Sequence, residues 1–316
     1  MNVLIVGFGA MGCRHAQSLI NSSEKINIFV VDPNDENFHF RLDKIGCKES
    51  DIKKKYSSVS QVEVAIDIAI VATSSAPRFE IVKALLVKGI KKFFLEKIIF
   101  QSLKQFDETI ELLQLNSATA YCNFVNRYFE NYIELNKYIS REKLAKINMN
   151  VIGGEFGLAS NVLHYIDLFE YLSGTNLKIK KSSLVVSGKE NMRGAQYKEL
   201  YGSISGKSDR GDVFSISSDV SYTSMPMVII KVDDVSFQFD QNTEKEEQII
   251  NGKRYEKEFK IVPTSVLTYP IIKDIFAGKT HLTTVEGTRN AHQEIFKHFN
   301  PVFGLPNNSD TICPIT

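Results

Sequence analysis

Three glycines near the start of the chain, Gly7, Gly9 and Gly12, stand at G-x-G-x-x-G spacing after the apolar run Val3, Leu4, Ile5, Val6. This order of strand, tight turn and helix is the arrangement that receives a dinucleotide. Gly7 permits the turn, Gly9 removes a side chain where a pyrophosphate must approach the backbone, and Gly12 lets helix pack on strand. Phe8, Ala10 and Met11 complete the loop, and the helix start offers free N–H groups and the positive end of its dipole to phosphate. A second apolar run, 26–32, ends in Asp32, twenty residues after Gly12, where a carboxylate accepts hydrogen bonds from both ribose hydroxyls. Asp32 repels a 2′-phosphate, and Pro33 and Asn34 supply no cation, so the pattern predicts NAD in preference to NADP, although Arg41 could fold back.

Two further groups could move protons. Lys97 follows an apolar strand, at the carboxyl edge where ligands of doubly wound sheets bind. On its residues alone it reads as a surface lysine pairing with Glu96. His164 is expected about one turn into a helix that starts near Ser160 or Asn161, so the positive helix end favours the neutral ring. Asp167, three residues on, could take the ring's other N–H. On its residues alone His164 reads as a satisfied core histidine, and two potential ligands are too few for a metal.

The elements that must hold these residues follow from periodicity. A helix is predicted over 36–45 and a parallel strand over 64–71, whose near-continuous apolar character suits burial on both faces. Ser75 can cap a helix in which Pro77 occupies the first turn, Val82, Leu85 and Leu86 line one face, and Gly89 forms the stop. A strand runs to Leu95. Ser102 and Gln105 form a capping box for a helix with the stripe Leu103, Phe106, Ile110 and Leu113, and a strand at 118–124 closes the set. Strands alternating with helices at these lengths predict a doubly wound parallel Rossmann sheet.

Composition shifts after Asn123. A helix at 128–139, a strand at 144–151 and a helix at 162–172 lead into strands at 182–188, 213–222, 227–232 and 235–240, with Asn251-Gly252 as a type I′ hairpin turn and a helix at 285–299. The fold class expected is therefore α/β: a Rossmann domain at 1–122 and an α+β domain at 123–316 with a large, mostly antiparallel open sheet. The exposed face of that sheet needs cover, so a homodimer or homotetramer is expected. The stretch 193–202 is either a strand edge and turn or a source of extra substrate contacts.

Bulk properties exclude several classes. The 316 residues carry a net charge of +1, 43% hydrophobic and 24% charged residues, which gives no argument for nucleic acid or membrane partners. The lysines at 53–55 and 178–181 read as solvated faces. Cys13, Cys47, Cys122 and Cys313 are scattered without a C-x-x-C pair, so neither disulfides nor a metal site is implied, and a cytoplasmic location is expected. The most apolar internal run, around Asp67, is too short to span a bilayer.

Taken together, the motifs resemble the Gfo/Idh/MocA oxidoreductases over nearly the whole chain. The loop GFGAMGC, the segment Ala72, Thr73, Ser74, the triplet Glu96-Lys97-Ile98, the segment NFVNRY with Arg127, and His164-Tyr-Ile-Asp167 each match a family motif, with Ile98 in a proline's place. The resemblance implies a cofactor site formed by Gly7, Phe8, Gly9, Ala10, Met11, Gly12, Asp32, Ala72, Thr73, Ser74, Glu96 and Lys97. It implies Lys97 and His164 as catalytic groups, with Lys97 at lowered pKa beside the nicotinamide and His164 as general base. It implies Arg127, Ser160, Asn161 and Asp167 on the substrate side. The family's aspartate four residues before the histidine is Ser160 here, which can donate, accept and cap but cannot hold a charge. The expected activity is NAD-dependent hydride transfer to or from a secondary alcohol or ketone of a sugar, cyclitol or nucleotide-linked sugar. The stretch GLASNVLHYIDL and the ending CPIT are similar to members in bacterial polysaccharide biosynthesis. Two rivals are a redox-neutral, NAD-using epimerase or eliminase and a non-catalytic NAD-binding sensor or assembly subunit.

Overall fold

Unbroken apolar runs form the centre of a six-stranded parallel sheet in the computed structural model, which describes residues 1–141 and 145–316. The strands are β1 (Asn2–Val6), β2 (Asn27–Val31), β3 (Lys54–Tyr56), β4 (Ile68–Val71), β5 (Lys92–Leu95) and β6 (Thr119–Cys122), in the order β3-β2-β1-β4-β5-β6. All four residues of β4 and the last four of β1 and β2 are buried, as a sheet covered on both faces requires. The chain switches direction between β1 and β4, and ligands of such sheets bind outside the carboxyl ends of the strands at this point.

The helices between these strands are α1 (Ala10–Ile20), α2 (Asp35–Lys44), α3 (Ser75–Val87) and α4 (Leu103–Leu115). In α3, Ser74 takes the cap position and Ser75 the first helical one, while Val82, Leu85 and Leu86 are buried as expected and Gly89 adopts φ +81. In the capping box, Ser102 accepts from the Gln105 N–H at 3.3 Å, but the Gln105 side chain accepts from Gln101 instead of Ser102. The expected strand 64–71 shortens to β4 because Asp67 turns to accept the Asn2 N–H at 2.7 Å. Of the lysines at 53–55, Lys54 and Lys55 enter edge strand β3, where Lys55 pairs with Asp35.

The compact units are not a simple cut of the chain. One comprises Met1–Val125 with Val262–Gly287, the other Asn126–Ile261 with Thr288–Thr316. The first unit thus regains α7 (Thr264–Ala277), a helix that periodicity did not reveal because Pro270 lies within it. It is fastened to α1 through Ser18, which donates to the Val266 carbonyl and accepts from the Tyr269 N–H.

The second unit contains α5 (Glu130–Arg141), α6 (Leu158–Ser173) and an eight-stranded sheet built from β7 (Ile147–Gly153), β8 (Leu177–Val186), β9 (Leu200–Ser208), β10 (Val213–Ser218), β11 (Met227–Val232), β12 (Val235–Asp240), β13 (Lys245–Ile250) and β14 (Lys253–Glu258). The order is β14-β13-β12-β11-β7-β10-β9-β8, antiparallel except for the β7–β10 pair. Alternating burial along β7, β10 and β11 puts one face on a core to which α6 contributes. Asn251 and Gly252 both take positive φ in the β13–β14 turn, as a type I′ hairpin demands. The strand expected from residue 144 is described from Ile147 onward, and 144 itself lies outside the described residues. The segment before α5 is a short 3-10 turn, so the helix starts at Glu130 rather than 128. The lysines at 178–181 belong to β8, bulged between Ile179 and Lys181. Strand β9 begins at Leu200, inside the stretch 193–202 for which a strand edge and turn was one reading, and its run on to Ser208 was not anticipated. Helix α8 (Val285–Phe299) has the bounds expected.

Candidate functional site

At the carboxyl edge of the first unit a cavity of about 490 Å³ is lined by Gly7, Gly9, Asp32, Asn37, Ser58, Ala72, Thr73, Ser74 and neighbouring apolar groups. The glycines earn their places sterically. Gly7 has φ +88, and a Cβ there would lie 2.9 Å from the Thr73 backbone nitrogen, while a Cβ at Gly12 would strike the Gly7 carbonyl. A Cβ on Gly9 would meet nothing within 4 Å, so that backbone faces open space. Asp32 caps the loop: its Oδ2 accepts the Phe8 N–H at 2.6 Å and its Oδ1 the Asn34 N–H at 2.9 Å. A carboxylate has about four lone-pair sites, so acceptors remain for two ribose hydroxyls. The Thr73 hydroxyl is buried and has no hydrogen-bond partner among the described residues. An orphaned hydroxyl beside an open glycine turn fits a phosphate- and ribose-bearing ligand, so these residues suit NAD. Arg41 does not fold back onto Asp32; its Nε donates to Asn37 Oδ1 at 3.3 Å. Ala10 and Met11 start α1, exposed and half-buried respectively, while Phe8 and Gly12 are buried.

Glu96, expected among the cofactor contacts, turns inward. It is 5% exposed, and its Oε1 accepts from His15 Nε2 at 3.0 Å and Asn123 Nδ2 at 2.5 Å. Burial works to raise its pKa, but the His15 and Asn123 hydrogen bonds and the charges of His15 and Lys97 overcome it and hold the carboxyl at about 2. Thr268 donates its hydroxyl to the Thr264 carbonyl at 2.9 Å, and the same hydroxyl lies 2.8 Å from His15 Nδ1. His15 thus bridges Thr268 and Glu96, and Glu96 serves as a buried brace immediately before Lys97. Lys97 alone among residues 96–100 is not buried.

In the second unit, α6 begins earlier than expected. Gly157, left-handed at φ +75, is its N-cap and has no side chain to offer. The cap comes instead from Glu199, forty residues away, whose carboxylate accepts the Ala159 N–H and the Ser160 hydroxyl, each at 2.5 Å. Sequence reasoning missed Glu199, since the only local signal was a glycine where a capping side chain belongs. The early start places His164 seventh in the helix, beyond the first turn where the dipole acts, so the helix end does not set its charge as expected. Ser160, Asn161 and His164 form the half-buried polar face of a helix whose other residues up to Phe169 are buried. Asn161 donates to the Phe156 carbonyl at 2.7 Å, and the His164 carbonyl accepts from Asn126 at 3.2 Å.

Asp167 does not orient His164. Its carboxylate is taken by Arg127 in a two-pronged pair, Nε to Oδ2 at 2.7 Å and Nη2 to Oδ1 at 2.8 Å, and the guanidinium also lies over the Tyr171 ring. The planar fork matches a carboxylate better than a ring N–H can, so Arg127 and Asp167, both expected on the substrate side, are held to each other. Burial pushes Asp167 up to about 6 against the pull of Arg127, and burial likewise pushes Glu170 up to about 7. Among the described residues no helix is long and apolar enough to cross a membrane, and no group of three or more His, Cys, Asp or Glu is arranged to hold a metal.

The fold recurs in solved structures. UDP-N-acetylglucosamine 3-dehydrogenase from Acidithiobacillus ferrooxidans matches at 14% identity with TM-score 0.73, over 94% of this chain and 96% of that one. Aldose-aldose oxidoreductase from Caulobacter crescentus matches at 12% identity with TM-score 0.73, over 96% and 98%. An oxidoreductase from Agrobacterium radiobacter in complex with NAD+, L-tartaric acid and magnesium matches at 9% identity with TM-score 0.73, over 93% and 94%. No curated protein matches the chain. Residues 1–124 match the model of the Gfo/Idh/MocA family, described as an oxidoreductase family with an NAD-binding Rossmann fold.

Proposed function

We propose that this protein is an NAD-dependent dehydrogenase or reductase acting on a secondary alcohol or ketone of a sugar, cyclitol or nucleotide-linked sugar. The observation that carries the reading is the cavity at the sheet's switch point, where an open glycine turn, the Asp32 carboxylate and the orphaned Thr73 hydroxyl converge. NAD, when bound, supplies the hydride acceptor. Lys97 holds the reacting hydroxyl, and His164 accepts its proton as the carbon-bound hydrogen departs as hydride. Ser160 and Asn161 offer further hydrogen bonds to substrate hydroxyls from the same helix face. Asp32 with no cation upon it selects NAD over NADP, because Arg41 is engaged with Asn37.

The sugar class is supported by the activities named for the two sugar-processing neighbours. A cytoplasmic role in surface-sugar synthesis accords with that class. Self-association is proposed through the open sheet face, where Asn150, Ile152, Ser215 and Ile229 stay partly exposed. The test is NADH formation from NAD with UDP-N-acetylglucosamine, free aldoses and cyclitols. Wild type forms NADH with a member of this set, and Lys97→Ala abolishes turnover while still binding NAD. Full activity in Lys97→Ala would overturn the assignment.

A further inference from the structure

The first unit contains a buried cation that the proposed chemistry does not use. Arg78, in the first turn of α3, is 1% exposed. Its Nη1 donates to the carbonyls of Glu96 at 2.5 Å, Ile99 at 3.2 Å and Ile98, and its Nη2 to the carbonyl of Thr73. One guanidinium therefore serves carbonyls on both sides of Lys97 and one carbonyl from the cavity-lining segment 72–74.

We infer that Arg78 is a positioning residue that fastens segments 72–74 and 96–99 into one rigid piece and so aims the Lys97 amine. A helix can pack on two strand ends with apolar side chains alone, and burying a charge instead carries a desolvation cost. What the arginine adds is geometry: a planar fork with donors in fixed directions, which the flexible point charge of a lysine cannot reproduce. The second anchor acts from the side chains, where His15 and Asn123 hold Glu96. The backbone on both sides of Lys97 and the side chain before it are thus held, while Lys97 alone among residues 96–100 is not buried. The same clamp sets the Thr73 peptide, whose hydroxyl is the orphaned donor at the cavity wall. The inference rests on NAD binding for its binding test and on the proposed role of Lys97 for its consequence in turnover.

The experiment compares ADP and NADH as probes. Both reach the glycine turn and Asp32, but only NADH carries the nicotinamide half that the proposed role of Lys97 sets beside its amine. Binding of each is titrated to wild type, Arg78→Lys and Arg78→Gln, with folding checked by circular dichroism. The expected result is ADP affinity unchanged and NADH affinity lowered about ten- to a hundredfold, the worth of a charge-assisted hydrogen bond carried into binding. Equal weakening of both probes, or no change in either, overturns the proposal. A wild-type measurement covers the case in which neither variant folds. The Arg78 guanidinium NMR signals should shift on addition of NADH and not of ADP, and indifference to NADH overturns the proposal. Absence of sugar turnover in wild type would count against the proposed function and leave this binding result standing.

Discussion

At the level of single residues, the local pattern located groups that line the cavity and not the groups that hold them. Gly7, Gly9, Asp32 and Thr73 were legible because their roles depend on neighbours a few positions away. Glu199, Arg78 and the Arg127–Asp167 pair were not, because each joins segments distant in sequence. The pair has a measurable consequence. Arg127→Ala strands a carboxyl that is 2% exposed, and should lower unfolding stability by about 3–5 kcal/mol. Urea melts would check this, and a loss under about 1 kcal/mol, the range of an exposed pair, would refute it. The two buried carboxyls should also titrate with opposite sign. Glu96 has a depressed pKa, so its contribution is complete above the ordinary 4.5 and is lost as pH falls toward about 2. Asp167 is raised from 3.8 to about 6, so its contribution is present below the ordinary value and lost as pH rises through about 6. Stability of Asp167→Asn relative to wild type should therefore improve between these two pH values, and a flat difference would contradict the assignment.

Among the elements, periodicity located most strands and helices, and the misses have physical causes. Proline inside α7 interrupts the apolar pattern, yet packing on α1 supports the helix. Helix α6 was predicted to start late because Gly157 gives no capping signal; the cap arrives from Glu199, the residue before β9. Glu199→Ala should leave the first turn of α6 without its acceptor and cost about 0.5–2 kcal/mol, the range of a lost N-cap. Amide exchange at Ala159 should rise in parallel, and unchanged protection there would show that the cap is unimportant. The hairpin of β13 and β14 was legible from two residues, since Asn251 and Gly252 are the types that accept positive φ.

For the whole molecule, the presence of a parallel sheet followed along the chain by a mostly antiparallel sheet could be read from period and order alone. The return of 262–287 to the first unit could not, because no boundary signal marks where a chain goes back to an earlier domain. That return brings Thr268 to His15, and through His15 steadies Glu96 beside Lys97. The proposed preference for NAD over NADP is the account's central claim, and the most direct test is a titration of NADH and NADPH into wild type and Asp32→Asn. The account predicts that wild type favours NADH by at least about tenfold and that removing the negative charge erases most of the difference. Equal affinity for the two cofactors in wild type, or a preference unchanged in Asp32→Asn, would contradict it.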